Sequence, residues 1–329
     1  ITVRVSWLRL EAGGLIRKGR AMGVAIGLGL SECPCKHPGD YWRWIDLCEA
    51  GEIDSMWRTD RLVGPHPLLE TLSGMAALAG RTKKMKFGMN VLSAAFRDPV
   101  LVAKQCATID FLSGGRLLPA FGIGSPKAPE WKALAIDTSG RGKRTDEALD
   151  IIQRLWQGET VDYEGVFFNV RGARIDPLPI QAELPLWIGG GSNAAIQRTA
   201  RLGTGWMGGS ETAPEAARIV AGIKTELGLT GRAIDDDHYG TSFPVYIGTP
   251  DAPIVARAMQ AYTERTGRDA NAVFAVGEPD SIVEHVAGFV DGGVYKFVLR
   301  PVGADADETL AQTRRIIEDV IPAVASRFA

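Results

Sequence analysis

The chain carries few groups that do chemistry unaided. It has four histidines and four cysteines in 329 residues. The cysteines are Cys33, Cys35, Cys48 and Cys106. Cys33 and Cys35 are separated by one residue, not the two of redox and zinc pairs, and no second pair follows at metal spacing. A metal site built from them with Cys48 and His37 is therefore not expected; free thiols in a reducing cytosol are. H-E-x-x-H and G-x-S-x-G are both absent, which leaves hydrolase readings without a motif. No predicted strand leads into G-x-G-x-x-G with an acidic residue about twenty positions on, so a dinucleotide-binding doubly wound sheet is disfavoured. No apolar run approaches the roughly 18–20 residues that a membrane span needs. A net charge of −2 gives no reason to expect nucleic acid or an anionic membrane as partner.

What is there suits a globular enzyme: hydrophobic residues make up 45% and charged residues 23%, enough for a sizeable core. Residues 1–21 carry Arg4, Arg9, Arg17, Lys18 and Arg20 without the apolar core of a signal peptide. They are expected to be a leader or a non-native extension, with Met22 opening a single domain over 22–329. From there short apolar runs alternate with amphipathic stretches. Strands are predicted over 23–30, 55–58, 86–92, 116–123, 185–188, 205–207, 239–247 and 294–299. Helices are predicted over 41–50 (capped by Asp40), 67–79, 99–112, 145–157, 193–202, 214–227, 254–262, 281–290 and 308–326, with a hairpin over 160–169. Eight strands alternating with helices mean parallel βαβ units, and that number favours a closed (β/α)8 TIM barrel of the α/β class.

In such a barrel the chemistry sits at the carboxyl ends of the strands. That rule selects Asp60 and Arg61 after strand 2, Gly124, Ser125 and Lys127 after strand 4, Gly189 to Ser192 after strand 5, and Arg300 after strand 8. The clearest signal is Gly189-Gly190-Gly191-Ser192 between a strand and a helix. Glycines let backbone approach an anion, and the first helical turn offers free N–H groups. Phosphate binding is one reading of that run; a plain tight turn is the other. His37 and His66 lie in loops at the same end, whereas His285 falls inside a predicted helix. A barrel without an evident acid/base team, yet with phosphate-type glycines, points to a cofactor that does the hard chemistry.

Several ordered blocks resemble the luciferase-like monooxygenase family. They are EAGEIDSMWRTDR (49–61), the stretch 76–124 ending in LSGGRLLPAFGIG, RGKRTDEALDIIQRLW (141–156), PLPIQAELPLWIGGGSNAAIQRTARLGTGWMGG (177–209) and VDGGVYKFVL (290–299). The resemblance runs from about Gly23 to about Val320. It implies a luciferase-like TIM barrel, a homodimer, and reduced FMN or a deazaflavin coenzyme at the carboxyl ends of the strands. In the FMN branch a separate flavin reductase supplies the cofactor and oxygen oxidises a small organic substrate. In the deazaflavin branch the enzyme moves a hydride. A two-component FMN monooxygenase is the first expectation; a deazaflavin dehydrogenase and a non-catalytic flavin-binding protein are the alternatives.

By the same resemblance Gly190, Gly191 and Ser192 match the phosphate-binding turn, and Gly124 and Ser125 lie where strand 4 reaches the cofactor. Asn90 and Val91 flank the bond that is often a non-proline cis peptide behind the flavin ring. The family's Asp-His after strand 2 is Asp60-Arg61 here, which places a catalytic role on Asp60 and Arg61 without the imidazole. Its Asp-Gly-Trp is Thr204-Gly205-Trp206, with Trp206 either stacked near the cofactor or packed in the core. Lys127 stands where some deazaflavin members carry a glutamate. Asp98 and Arg116 are expected to be architectural, Arg116 through an ion pair.

Overall fold

A computed structural model describes residues 23–32, 35–64 and 67–329. The expected leader over 1–21, Met22, Cys33 and His66 lie outside the described residues. Strands β1 (Ala25–Leu30) and β2 (Ser55–Arg58) follow one another in parallel, joined by helix α1 (Pro38–Ala50). After α2 (Thr71–Arg81), β3 (Lys86–Met89) resumes beyond Asn90–Val91 as β4 (Leu92–Ser93). After α3 (Pro99–Ser113), β5 (Leu117–Leu118) resumes beyond Pro119 as β6 (Ala120–Gly122). Each of these pairs is one barrel strand with an interruption. A short α4 (Glu130–Ala133), the long α5 (Arg141–Trp156) and an antiparallel hairpin, β7 (Val161–Glu164) with β8 (Asn169–Ala173), precede β9 (Trp187–Gly189).

The second half continues with α6 (Asn193–Leu202), β10 (Gly205–Met207), α7 (Ala213–Thr230) and β11 (Tyr239–Ile247). Next come α8 (Pro253–Thr266), β12 (Ala275–Gly277), α9 (Pro279–Val290) and β13 (Lys296–Pro301). The helices α10 (Ala306–Arg315) and α11 (Ile321–Arg327) end the chain. All barrel pairings are parallel, and β13 closes on β1 with Ala25 opposite Lys296. Counting the interrupted pairs once, the ring runs β1, β2, β3/β4, β5/β6, β9, β10, β11, β13. The (β/α)8 barrel inferred from the alternation is thus the architecture present. β12 lies outside that count: it pairs with β11 at Val245–Ile247, so α8 and β12 are an addition between the seventh strand and its helix.

Period-two alternation sorts each strand into an inward and an outward face. On β13, Phe297 and Leu299 face the helices, while Lys296, Val298 and Arg300 face in. The barrel interior is filled at mid-height by Trp57 and Trp187, packed edge to face at 6.0 Å, with Ala120, Met207 and Val298. Their bulk is accommodated by glycines opposite. A Cβ on Gly88 would lie 2.7 Å from the Trp57 ring, and one on Gly205 would lie 2.6 Å from Trp187. Below them, Lys296 pairs with Asp54, Ser55 donates to Asp54 at 2.6 Å, and the Trp57 indole donates to Ser55 at 2.8 Å. Burial works against the ionised Asp54, yet the Lys296 ammonium beside it holds the carboxyl below its ordinary value.

Some local expectations need correction. The cap of α1 is His37, and Asp40 sits three residues inside, its carboxylate accepting the His37 N–H at 3.2 Å. Helix α2 starts at Thr71, not 67, because Glu70 caps it by accepting the Ser73 N–H at 2.7 Å. Among the described residues Arg116 makes no ion pair; its guanidinium donates to the carbonyls of Thr82 and Met85, each at 2.9 Å, tying β3 to the start of β5. Cys48 and Cys106 are buried free thiols, whereas Cys35 is disulfide-bonded, against the expectation of free cysteines throughout. No helix among the described residues is long and apolar enough to cross a membrane.

Candidate active site

The carboxyl ends of the strands form a mouth with three distinct walls. The first is the turn after β9. Ser192 caps α6, its hydroxyl accepting the Ala195 N–H at 3.2 Å. Helix geometry leaves the N–H groups of Asn193 and Ala194 without intrahelical partners. Gly190 has φ +105°, a conformation that only glycine adopts without strain. A Cβ on Gly191 would meet Ile219 at 2.5 Å, so the turn is pressed against α7. Trp206, fully buried, donates its indole N–H to the Gly190 carbonyl at 2.9 Å. That bond fixes the Gly190 carbonyl, and the first turn of α6 beside it offers amides of the kind that meet an anion. Of the two roles open to Trp206, the structure shows core packing, from which its indole shapes the turn.

The second wall is the break between β3 and β4. The Asn90–Val91 peptide is cis. Asn90 reaches across the barrel to donate to the Ser242 hydroxyl at 2.8 Å. Val91 fits against Gly122 and Gly189, where a Cβ would lie 2.6 Å and 2.9 Å from its methyls. Strands 4 and 5 thus carry glycine because Val91 occupies that space. Gly124, with φ +72°, turns the chain out of strand 4 beneath Ser93, Phe96 and Trp131. Ser125 is exposed beyond it, with its carbonyl held by the Trp131 indole at 2.7 Å.

Asp60 and Arg61, expected as catalytic groups, are placed differently. The Asp60 carboxylate is buried and fully engaged. It accepts both Arg97 guanidinium N–H groups, at 2.9 and 2.7 Å, and the Ser93 amide at 3.0 Å. Arg97 also binds Glu70 at 3.1 Å, so Asp60 locks the loops after strands 2 and 3 to the cap of α2. A carboxylate with this many partners is a tie, not a free base. Arg61 is 42% exposed and stands 3.8 Å from Glu130, itself 1% exposed. One Glu130 oxygen also accepts the Leu62 N–H at 3.3 Å, and the other, also buried, has no partner. Glu130, not Lys127, is the buried carboxylate of the strand-4 loop; Lys127 is exposed.

The third wall was not foreseen. Between the ends of β1 and β13 and helix α8 lies a cavity of about 710 Å³. Arg257, Arg265, Arg300 and Tyr262 line it, with Phe274 and Pro244. Arg300 was marked by its place after strand 8. Tyr262 and Arg265 carried no signal, because only the tertiary fold brings α8 over the mouth. Burial, with the like charge of Arg265, pulls the Arg300 guanidinium down to about 10. The other groups with metal-ligand spacing among the described residues, Asp235, Asp237 and His238, precede β11 and so lie at the opposite end of the barrel.

The comparisons with known proteins follow this geometry. The sequence model described as luciferase-like monooxygenase matches residues 24–296. An F420-dependent glucose-6-phosphate dehydrogenase of Microbacterium testaceum is 28% identical over 317 residues, covering 86% of this chain and 92% of that one. An uncharacterized protein of Mycobacterium tuberculosis is 34% identical over 159 residues, 48% of this chain; the match spans about half, 54%, of that relative's length. Among solved structures, a monooxygenase from Streptomyces bottropensis superposes with a TM-score of 0.78 at 20% identity, covering 91% of this chain and 99% of that one. An F420-dependent secondary alcohol dehydrogenase in complex with an F420-acetone adduct gives 0.78 at 18%, covering 92% and 99%. At those identities the two structures show a shared fold.

Proposed function

Because the chain belongs to the luciferase-like monooxygenase family, we propose that it is an oxidoreductase that transfers a hydride between a deazaflavin cofactor of the F420 type and a small organic substrate. The observation that carries this reading is the anion seat at Gly190–Ser192, built beside the Asn90–Val91 break on one mouth. The residues fit a phosphate-bearing flavin or deazaflavin: Gly190 has a positive φ, Gly191 packs its bare Cα against Ile219, and the first turn of α6 offers amides without intrahelical partners. Gly190, Gly191 and Ser192 would hold the phosphate, and Asn90, Val91 and Gly124 would support the ring system, with Ser125 at the edge. When bound, the cofactor supplies the hydride chemistry. The chain's own residues bind and orient both partners and keep water from the reacting atoms.

The preference for a deazaflavin over reduced FMN rests on relatives of named function. Two of them, each matching more than four-fifths of both chains, are F420-dependent glucose-6-phosphate dehydrogenases. This reverses the order expected from sequence alone, which put an oxygen-using FMN monooxygenase with a partner reductase first. On this reading Asp60 holds the loops around the chemistry through Arg97 and Ser93, and Arg61 stands half-exposed beside Glu130.

Anaerobic titration with F420 and with FMN, each oxidised and reduced, tests the reading. Tryptophan fluorescence is a suitable signal, since the Trp206 indole is bonded to the turn itself. Saturable binding of F420 that FMN does not displace is expected. Tight binding of reduced FMN alone would return the enzyme to the oxygen-using branch, and binding of neither would overturn both.

A further inference from the structure

The cavity over β1, β13 and α8 is richer in positive charge than its surroundings explain. Arg257, Arg265 and Arg300 all line it; Arg257 and Arg265 are exposed, Arg265 with its guanidinium 5.5 Å from the centre of the Tyr262 ring, and among the described residues none of the three has a carboxylate within ion-pair distance. The contrast with Arg268, one turn further on, is direct: it is bonded to Glu215. The one carboxylate on the cavity wall, Glu32, is already engaged in an interaction of its own. Tyr262 lines the same space and is 5% exposed, and its buried hydroxyl has no hydrogen-bond partner. A buried hydroxyl left without a partner is costly, as is the buried Nε of Arg300, which also has none. Both costs are relieved by one oxyanion. The remaining wall is apolar, with Leu30, Pro244, Ile254 and Phe274, and the volume falls in the range of small-molecule sites.

We infer that this cavity is the substrate's oxyanion subsite, gripping one carboxylate or phosphate group between Arg300, Arg265 and the Tyr262 hydroxyl, with Arg257 at its outer edge. The word substrate rests on the hydride-transfer reading above; the seat rests on the residues named here. The ring order supports the division of labour. β1 stands opposite β9, so the cavity faces the Gly190–Ser192 turn across the mouth. One anion seat then serves the cofactor and the other serves the molecule it reacts with. A neutral alcohol or aldehyde would leave Arg300 without a counter-charge.

The test uses the full chain with inorganic phosphate and acetate as probes, titrated calorimetrically into wild type, Arg300→Met, Arg300→Lys and Tyr262→Phe. F420 is titrated into the same four proteins. Arg300→Met is expected to weaken binding of at least one probe about tenfold or more, and Tyr262→Phe by about three- to tenfold, as loss of one charge-assisted hydrogen bond predicts. Arg300→Lys recovers part of the loss, and F420 affinity is unchanged in all three. Tyr262→Phe removes a hydroxyl that bonds to nothing, so its fold is safe and its result stands even if Arg300→Met is unstable. Phosphate binding without acetate names a phosphorylated substrate, and the converse names a carboxylate. Equal binding of both probes to wild type and variants, or no binding to wild type, would overturn the subsite. Failure of F420 to bind wild type, with Arg300-dependent oxyanion binding intact, would overturn the cofactor reading and leave the seat standing.

Discussion

Lys296 and Arg300 lie four residues apart on the inward face of β13, and they mark two kinds of barrel end. Lys296, at the floor, is 7% exposed and paired with Asp54, within a network whose members Ser55 and Trp57 also find partners. Arg300, about 13 Å higher at a strand rise of about 3.3 Å per residue, has no carboxylate and faces a cavity. Around Lys296 the floor is closed by complementary charge and by the Asp54–Ser55–Trp57 hydrogen bonds, although the Trp187 indole and the Tyr239 hydroxyl at the strand starts have no partner. The mouth is assembled from glycine gaps, a helix start with free amides, an unpartnered tyrosine hydroxyl and a surplus of arginine. The difference teaches where this molecule spends its order on stability and where it holds groups ready for a ligand.

The sharpest way to break the comparison is to remove each cation. Lys296→Met strands Asp54 in the floor and is expected to lower unfolding stability by about 3–5 kcal/mol. Arg300→Met removes a cation that nothing answers and is expected to change stability by about 1 kcal/mol or less. Denaturant unfolding of both proteins checks this; equal losses would erase the distinction between floor and mouth. Asp60→Asn comes next. It weakens the Arg97 tie and is expected to cost about 2 kcal/mol, while the shape of the pH–rate profile stays as in wild type. A changed profile would return Asp60 to the chemistry.

A smaller effect sharpens the picture of the packed layer. His285 is enclosed by Phe243 and Phe289, at 4.7 and 5.5 Å. Burial depresses its imidazole below the ordinary 6.5. The unfolded chain therefore takes up the proton first, and stability falls as pH drops from about 6.5 toward the folded value, by at most about 1.4 kcal/mol per pH unit. His285→Phe should remove that acid slope in unfolding curves recorded between pH 7 and 5. The mildest change is Arg61→Ala, expected to alter stability by about 0.5 kcal/mol or less, since its ion pair is long and the side chain half in solvent.

Much of the fold was legible because periodicity speaks plainly over long segments. α6, β10 and β11 occupy the ranges that the apolar spacing indicates, and the eight-fold alternation identifies the barrel. Of the interruptions, the cis peptide at Asn90–Val91 was indicated by the family resemblance and is present, whereas the break at Pro119 was not legible. Strands 3 and 4 read as continuous runs, yet each is broken, at Asn90–Val91 and at Pro119, because ladder pairing depends on neighbours that the local sequence does not reveal. β12 was missed for the same reason: three residues pairing with the end of β11 have no period to detect.

The site divides along the same line. The Gly190–Ser192 turn and the Ser192 cap were readable, since glycine and a capping hydroxyl act locally. Asp60 was readable as a polar group at the mouth but not as a tie, because Arg97 reaches it from another loop. Trp206 stood between two roles until its indole was seen on the Gly190 carbonyl. Tyr262 and Arg265 belong to a helix whose pattern is unremarkable. Their importance comes from where β11, α8 and β13 converge, which is a property of the folded chain alone.

The measurement that bears most directly on the central claim is F420 affinity in three folded proteins: wild type, the Gly191→Val/Ser192→Ala double variant and Lys296→Met, each assayed where it is fully folded. The account predicts that the mouth variant loses affinity by about thirtyfold or more, the worth of one to two hydrogen bonds to an anion, while the floor variant binds as wild type does. Undiminished binding in the mouth variant, or loss in the floor variant alone, would contradict it.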